Sequence, residues 1–232
     1  AMRARMIRNH GENATDYYAI EDISNIIGSN YRYTELQAAV GIEQFKKLKG
    51  ILEHRRNIGE LLNNKLKNII GLTIPTIEKD CTHAYYMYPI KFDPKWFGVN
   101  RHIFVMAVSA ELPKPKYWDT TPMAEGYVKP IYLNRLYQSK IAIGKSGFPW
   151  NQNRNVNYVY EKGICPVTEK LYEEELIVSP LVREGITKDD ISDFINAIEK
   201  VVTNISELKD NAEKLLDEEM LDPIKAIEKN LG

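Results

Sequence analysis

The chain has 232 residues, 44% of them hydrophobic, and a formal net charge of −1. A balance so close to neutral excludes a global field drawing it to nucleic acid or an anionic membrane, and no apolar run approaches the roughly 18–20 residues that span a bilayer. Two cysteines, Cys81 and Cys165, do not make a disulfide framework. With no signal-peptide core at the N-terminus, a soluble protein of a reducing cytoplasm is expected.

Residues 1–8 alternate basic and apolar side chains and read as a helix entered midway, stopped by Asn9-His10-Gly11 with Gly11 as its cap. Residues 12–30 read as a polar loop. A long helix is predicted from Thr34, where Gln37 completes a capping box, to about Asn68. Leu36, Val40, Phe45, Leu48, Ile51, Leu52, Ile58, Leu61, Leu62 and Leu66 recur at helical spacing, as one buried stripe would. Gly41, Gly50 and Gly59 interrupt it. Each weakens a helix by about 1 kcal/mol relative to alanine, so close packing or a break is expected at one or more of them.

The period then changes. Leu72–Pro75 and His83–Ile90 are short, aromatic and β-branched, and read as two strands. Arg101–Glu111 returns to helical composition. Residues 112–160, rich in proline, asparagine and tyrosine, form a long irregular stretch of the kind that carries function. Ile177-Val178 marks a last strand, and Thr187 caps an amphipathic helix through Ile191, Phe194, Ile195, Ile198, Val201 and Val202. A charged helical tail closes the chain. Strands are few and helix plentiful, so the main sheet is expected in sequence absent here.

Three motifs fail. Gly144-Lys145-Ser146 imitates the end of a P-loop, but Ser139 stands where that loop needs glycine, so an exposed turn is expected. His10, His54, His83 and His102 are scattered, and no ligand pair has zinc-like spacing. No nucleophile elbow occurs.

Arg8-Asn9-His10-Gly11, followed by Gly28-Ser29-Asn30-Tyr31-Arg32-Tyr33-Thr34-Glu35-Leu36-Gln37-Ala38-Ala39-Val40-Gly41, is different. The run resembles the signature of the DegT/DnrJ/EryC1/StrS family of pyridoxal-phosphate-dependent sugar aminotransferases. His83–Tyr88, Gly126–Tyr132 and Cys165–Glu169 resemble later landmarks of that family, and residues 112–125 look like a local insertion.

The resemblance implies an α/β chain: the C-terminal part of a fold-type I transferase, with a long helix, a small α+β domain and the main sheet largely absent. Residues 1–68 would be the remnant of the large cofactor-binding domain with its linking helix, and 69–232 the small domain. The implied activity moves an amino group from glutamate or glutamine to a keto sugar, nucleotide-linked, in amino-sugar or surface-polysaccharide biosynthesis. A pyridoxamine-phosphate-dependent sugar dehydratase is one alternative. A non-catalytic dimerisation module built on residues 34–68 is another. The partners implied are a sugar, an amino-acid donor, a second copy of the chain, or a separate N-terminal chain, with neither nucleic acid nor membrane.

The family's Schiff-base lysine lies upstream of this signature, and no lysine in the chain has its context. The chain alone is therefore expected to hold pyridoxal phosphate weakly or not at all, and not to transaminate. By resemblance, Asn30 and Arg32 reach the phosphate of a cofactor shared across a subunit interface. An amide donor and a planar cation suit phosphate oxygens, although isolated residues of these types more often end a turn or pair with a surface carboxylate. Tyr31, His83, Tyr85, Tyr86, Tyr127 and Tyr132 are candidates for the sugar, since aromatic faces and hydroxyls match its CH patches and hydroxyl groups. The competing reading of these residues is core or strand packing. No metal site is expected.

Overall fold

A computed structural model describes residues 2–10, 27–113, 121–153 and 155–216. The chain forms two compact units, residues 1–50 and 51–232, with the division falling inside the long helix.

In the first unit, helix α1 (Met2–Arg8) ends where His10 takes a left-handed φ of 64°. Gly11, the expected cap, lies outside the described residues. The chain returns alongside this helix end: Ser29 N–H donates to Ile7 O and Tyr31 N–H to Arg8 O, both at 2.9 Å, and Asn9 and Asn30 form an antiparallel bridge. Helix α2 (Glu35–Leu66) starts as expected. Gln37 N–H donates to Thr34 Oγ1 at 3.3 Å, and Thr34 N–H donates back to Gln37 Oε1 at 3.0 Å.

The single buried stripe expected of α2 is not found. Only Ile58, Gly59, Leu62 and Leu66 are buried, whereas Leu36 is 78% and Phe45 76% exposed, with Val40 and Leu48 exposed as well. Among the described residues of its own unit, nothing covers the apolar face of the first half of the helix. Nor does any glycine break α2. At Gly59 the expected close packing is present: a Cβ there would lie 2.5 Å from the ring of Tyr85, while one at Gly50 would meet nothing within 4 Å.

The second unit is built on a four-stranded antiparallel sheet in the order β1-β2-β4-β3. Its strands are β1 (Leu72–Thr73), β2 (Tyr88–Phe92), β3 (Ala124–Glu125) and β4 (Leu176–Ser179). The central pair is in register from Tyr88 against Ser179 to Lys91 against Leu176. The strand expected over His83–Ile90 thus forms only from Tyr88 onward. The residues before it turn, with Tyr85 at φ 47°, because its ring is driven under Gly59 into the core, where it is 1% exposed.

Between the strands lie α3 (Pro94–Phe97), α4 (Arg101–Ala110), α5 (Arg135–Ser139) and α6 (Pro166–Lys170). Helix α7 (Lys188–Thr203) and α8 (Ile205–Asp210) follow β4. Asp93 caps α3 by accepting from Lys95 N–H at 2.9 Å and Trp96 N–H at 3.2 Å. The α7 capping box is complete, Thr187 accepting from Asp190 N–H and Asp190 from Thr187 N–H. Ile191, Phe194, Ile195, Ile198 and Val201 are buried as the periodicity predicts, with Val202 half-buried. They meet α4 and the sheet in one core with Phe92, Phe97 and Phe104, whose rings lie 4.8–5.3 Å apart.

One element has no signature in the sequence. A π-helical turn, Leu171–Glu175, continues α6 into β4. Its carbonyls converge on Arg101, buried at 8% exposure. The Arg101 guanidinium donates to Leu171 O, Tyr172 O, Glu173 O and Leu176 O at 2.9–3.3 Å. A π turn leaves carbonyls without their usual intrahelical donors, and one planar five-donor group satisfies them together.

Candidate functional site

The candidate residues fall in two patches, one in each unit. In the first, the bridge between Asn9 and Asn30 fixes two short segments side by side. Arg32 Nη1 donates a short hydrogen bond to Asn9 Oδ1, and Nη2 lies 3.4 Å from His10 Nε2. The Arg32 N–H donates to Asn30 Oδ1 at 3.3 Å, which fixes the Asn30 side chain against the backbone of Arg32. All of these groups except half-buried Asn9 are exposed. Among the described residues, Arg32 pairs with no carboxylate, and Asn9 and His10 hold its guanidinium in place. Tyr31 stands next to them, 67% exposed. A fixed cation with a neighbouring amide is a donor set that fits a phosphate group.

In the second patch, α2 holds the turn before β2. Arg55 Nη1 donates to Tyr85 O at 2.8 Å and to Tyr86 O at 3.3 Å. Arg56 Nε donates to His83 O and its Nη2 to Thr82 Oγ1, both at 3.3 Å. His83 Nδ1 accepts from Tyr85 N–H at 2.8 Å, which places any ring proton of the neutral imidazole on Nε2. Tyr85 itself is a core residue: its hydroxyl accepts from Asn63 Nδ2 at 3.2 Å, and Asn63 Oδ1 accepts from buried Tyr88 at 2.7 Å.

Tyr86 and Tyr127 come together on the surface. The Tyr127 hydroxyl donates to that of Tyr86 at 3.2 Å, with the rings edge-to-face at 6.2 Å. That hydrogen bond holds the Tyr127 phenol above its ordinary pKa. Tyr132 is not part of this pair. It is half-buried and donates to the buried carboxylate of Glu169, and loss of solvent together with that bond raises its pKa.

Sequence reasoning missed three contributors. Arg55 and Arg56 lie within the predicted long helix, with only their adjacency to mark them. Glu169 closes the Cys165–Glu169 landmark, to which the resemblance gives no role. Gly144-Lys145-Ser146 is an exposed turn, as expected, and no cluster of metal-ligating residues occurs among the described residues. Both cysteines are free and exposed. No helix of the described residues is long and apolar enough to cross a membrane.

The described fold matches part of solved aminotransferases, among them the sugar aminotransferase CalS13 from Micromonospora echinospora, with a TM-score of 0.59 over 86% of this chain and 44% of that one at 17% identity. It superposes on DesI, determined in the presence of its TDP-sugar product, with a TM-score of 0.62 over 92% of this chain and 45% of that one, at 15% identity. The model of the DegT/DnrJ/EryC1/StrS aminotransferase family matches residues 1–140, and the chain belongs to that family. An uncharacterised Methanocaldococcus jannaschii protein is 29% identical over 210 residues, covering 88% of this chain and 47% of the relative. The spore coat polysaccharide biosynthesis protein SpsC of Bacillus subtilis is 24% identical over 193 residues, covering 83% and 42%. The chain therefore spans about half the length of the curated relatives it matches.

Proposed function

We propose that the chain supplies the phosphate anchor and a sugar-facing surface of a pyridoxal-phosphate-dependent aminotransferase, acting on a nucleotide-linked keto sugar with glutamate or glutamine as donor. The observation that carries this reading is the fixed, exposed guanidinium of Arg32, with Asn30 beside it, inside the family's own sequence run. The bound cofactor would supply an electron sink at the reacting carbon. Arg32 and Asn30 would grip its phosphate, the cofactor being tethered by a neighbouring polypeptide. Each charged hydrogen bond contributes on the order of 1.5–3 kcal/mol. The exposed Tyr86–Tyr127 pair offers a ring face and hydroxyls to the sugar. The TDP-sugar product of DesI and the polysaccharide role of SpsC support a sugar substrate. Residues 1–68 would belong to the cofactor domain and 69–232 to the small domain.

Titration of the chain with pyridoxal 5′-phosphate, followed by NMR, tests the anchor, with unphosphorylated pyridoxal as control. The phosphate ester is expected to move the Arg32 and Asn30 side-chain resonances, and Arg32→Ala to weaken binding about 10- to 100-fold. Equal responses to both ligands, or an unchanged affinity in the variant, would sink the proposal.

One observation favours a complementary reading. The exposed apolar face of Leu36, Val40, Phe45 and Leu48 suits self-association through α2. Sedimentation should show a dimer that Phe45→Glu dissociates, and a native chain that stays monomeric at every concentration would exclude it.

A further inference from the structure

Glu169 is a carboxylate at 5% exposure, and among the described residues no buried cation pairs with it. It accepts from the Tyr132 hydroxyl, from Gly163 N–H through both oxygens at 2.7 and 2.8 Å, and from Cys165 N–H at 3.5 Å. Lys162 acts on it from the surface but is engaged with Glu173 at 2.6 Å. A buried carboxylate without a buried counter-charge persists only when hydrogen-bond donors solvate it. Here the donors come from two separate stretches of chain.

Those stretches are the two limbs of one excursion. The outgoing limb starts at Gly126, whose N–H donates to Leu176 O on β4 at 2.6 Å, and ends at Tyr132. Tyr127 lies between these anchors. The returning limb ends in the turn at 162–165. Gln138 Nε2 ties the limbs again, donating to Tyr132 O and Tyr160 O at 2.7 Å each. An ionised acceptor solvated by both limbs is the strongest of these ties.

We infer that Glu169 is a positioning residue: by binding Tyr132 and the Gly163–Cys165 turn together, it locks the outgoing limb and so holds Tyr127 against Tyr86 for a sugar. The inference rests on the sugar-facing reading of that pair. It assigns Glu169 no contact with substrate.

Hydrogen exchange on the intact chain tests the lock without any ligand. Glu169→Gln is expected to speed exchange at least tenfold in both 126–133 and 161–165, leaving β2 and α7 unchanged. Tyr132→Phe is expected to speed it in 126–133 alone. The ionised form of Glu169 is the one favoured in the fold, so native protection should survive acidification through the ordinary glutamate range and fail below it. In Glu169→Gln no such step should remain. The other titratable groups facing Glu169 are Tyr132, Cys165 and Lys162. Glu173 is the partner of Lys162, and Glu173→Gln is the control expected to keep the step. Native-like protection in Glu169→Gln would overturn the lock, as would a step abolished equally by Glu173→Gln.

The sugar arm uses UDP-N-acetylglucosamine as probe, followed at the Tyr86 and Tyr127 ring resonances. Weaker binding to Glu169→Gln supports positioning, and equal binding to both proteins overturns it. If the probe leaves both rings of the native chain unmoved while the exchange results hold, the sugar reading fails and the lock alone stands.

Discussion

From Glu35 to Gly50, α2 holds Leu36, Val40, Phe45 and Leu48 in the open; from Ile51 to Leu66 it places Ile58, Leu62 and Leu66 in a closed core. Both halves carry apolar side chains at helical spacing, and the helix passes from one to the other without a break. The contrast separates two properties that periodicity merges. Spacing decides which face of a helix is apolar, whereas burial depends on what lies opposite. In the second half, Tyr88 of β2 and the turn at Tyr85 lie opposite, and the fit is tight enough to require glycine at 59.

The comparison breaks first at the core. Leu62→Ala is expected to cost about 2–5 kcal/mol in urea unfolding, and Phe45→Ala less than about 0.5 kcal/mol for the chain alone. Similar costs for both would mean the first half is covered after all. The glycines sharpen it further. Gly59→Ala would drive a methyl into the buried Tyr85 ring and should cost about 1–3 kcal/mol, while Gly50→Ala in open space should stabilise by up to about 1 kcal/mol. Thermal melts of the two variants should shift in opposite directions.

The smallest effect concerns helix starts, where the same cap chemistry serves an exposed helix at Thr34 and a buried one at Thr187. Thr187→Ala should cost about 1 kcal/mol near neutral pH. The bonds from Thr187 to Asp190, at 2.6 and 2.7 Å, hold the Asp190 pKa below its ordinary value. A carboxylate depressed in the fold adds stability above its unfolded pKa and loses it as pH falls through the folded one. The difference between native and Thr187→Ala should therefore narrow in acid below about pH 4. Denaturation midpoints that differ equally at both pH values would show that Asp190 takes no part.

Local chemistry was legible and long-range closure was not. Both capping boxes, the ends of α4 and β4 to within a few residues, and the α7 stripe follow from neighbours in sequence. The turn over His83–Met87 does not, because the arginines that hold its carbonyls sit on α2, about thirty residues earlier. Composition alone therefore reads it as strand. In the first patch, Asn30 and Arg32 were legible from the order of a motif. That Asn9 and His10, in the same motif, hold the guanidinium emerges only when the chain folds back on itself. Tyr85 illustrates the limit, since a tyrosine suited to a sugar and one suited to a core look identical until Gly59 is seen above it.

Arg101 has a consequence for how this protein tolerates change. The four oxygens it gathers belong to the main chain, and every amino acid brings the same carbonyl. Substitutions at Tyr172 or Glu173 therefore leave this junction intact, whereas even lysine at position 101, with a single nitrogen, would abandon several of its oxygens. Mutational freedom along the turn is secured by rigidity at one distant site.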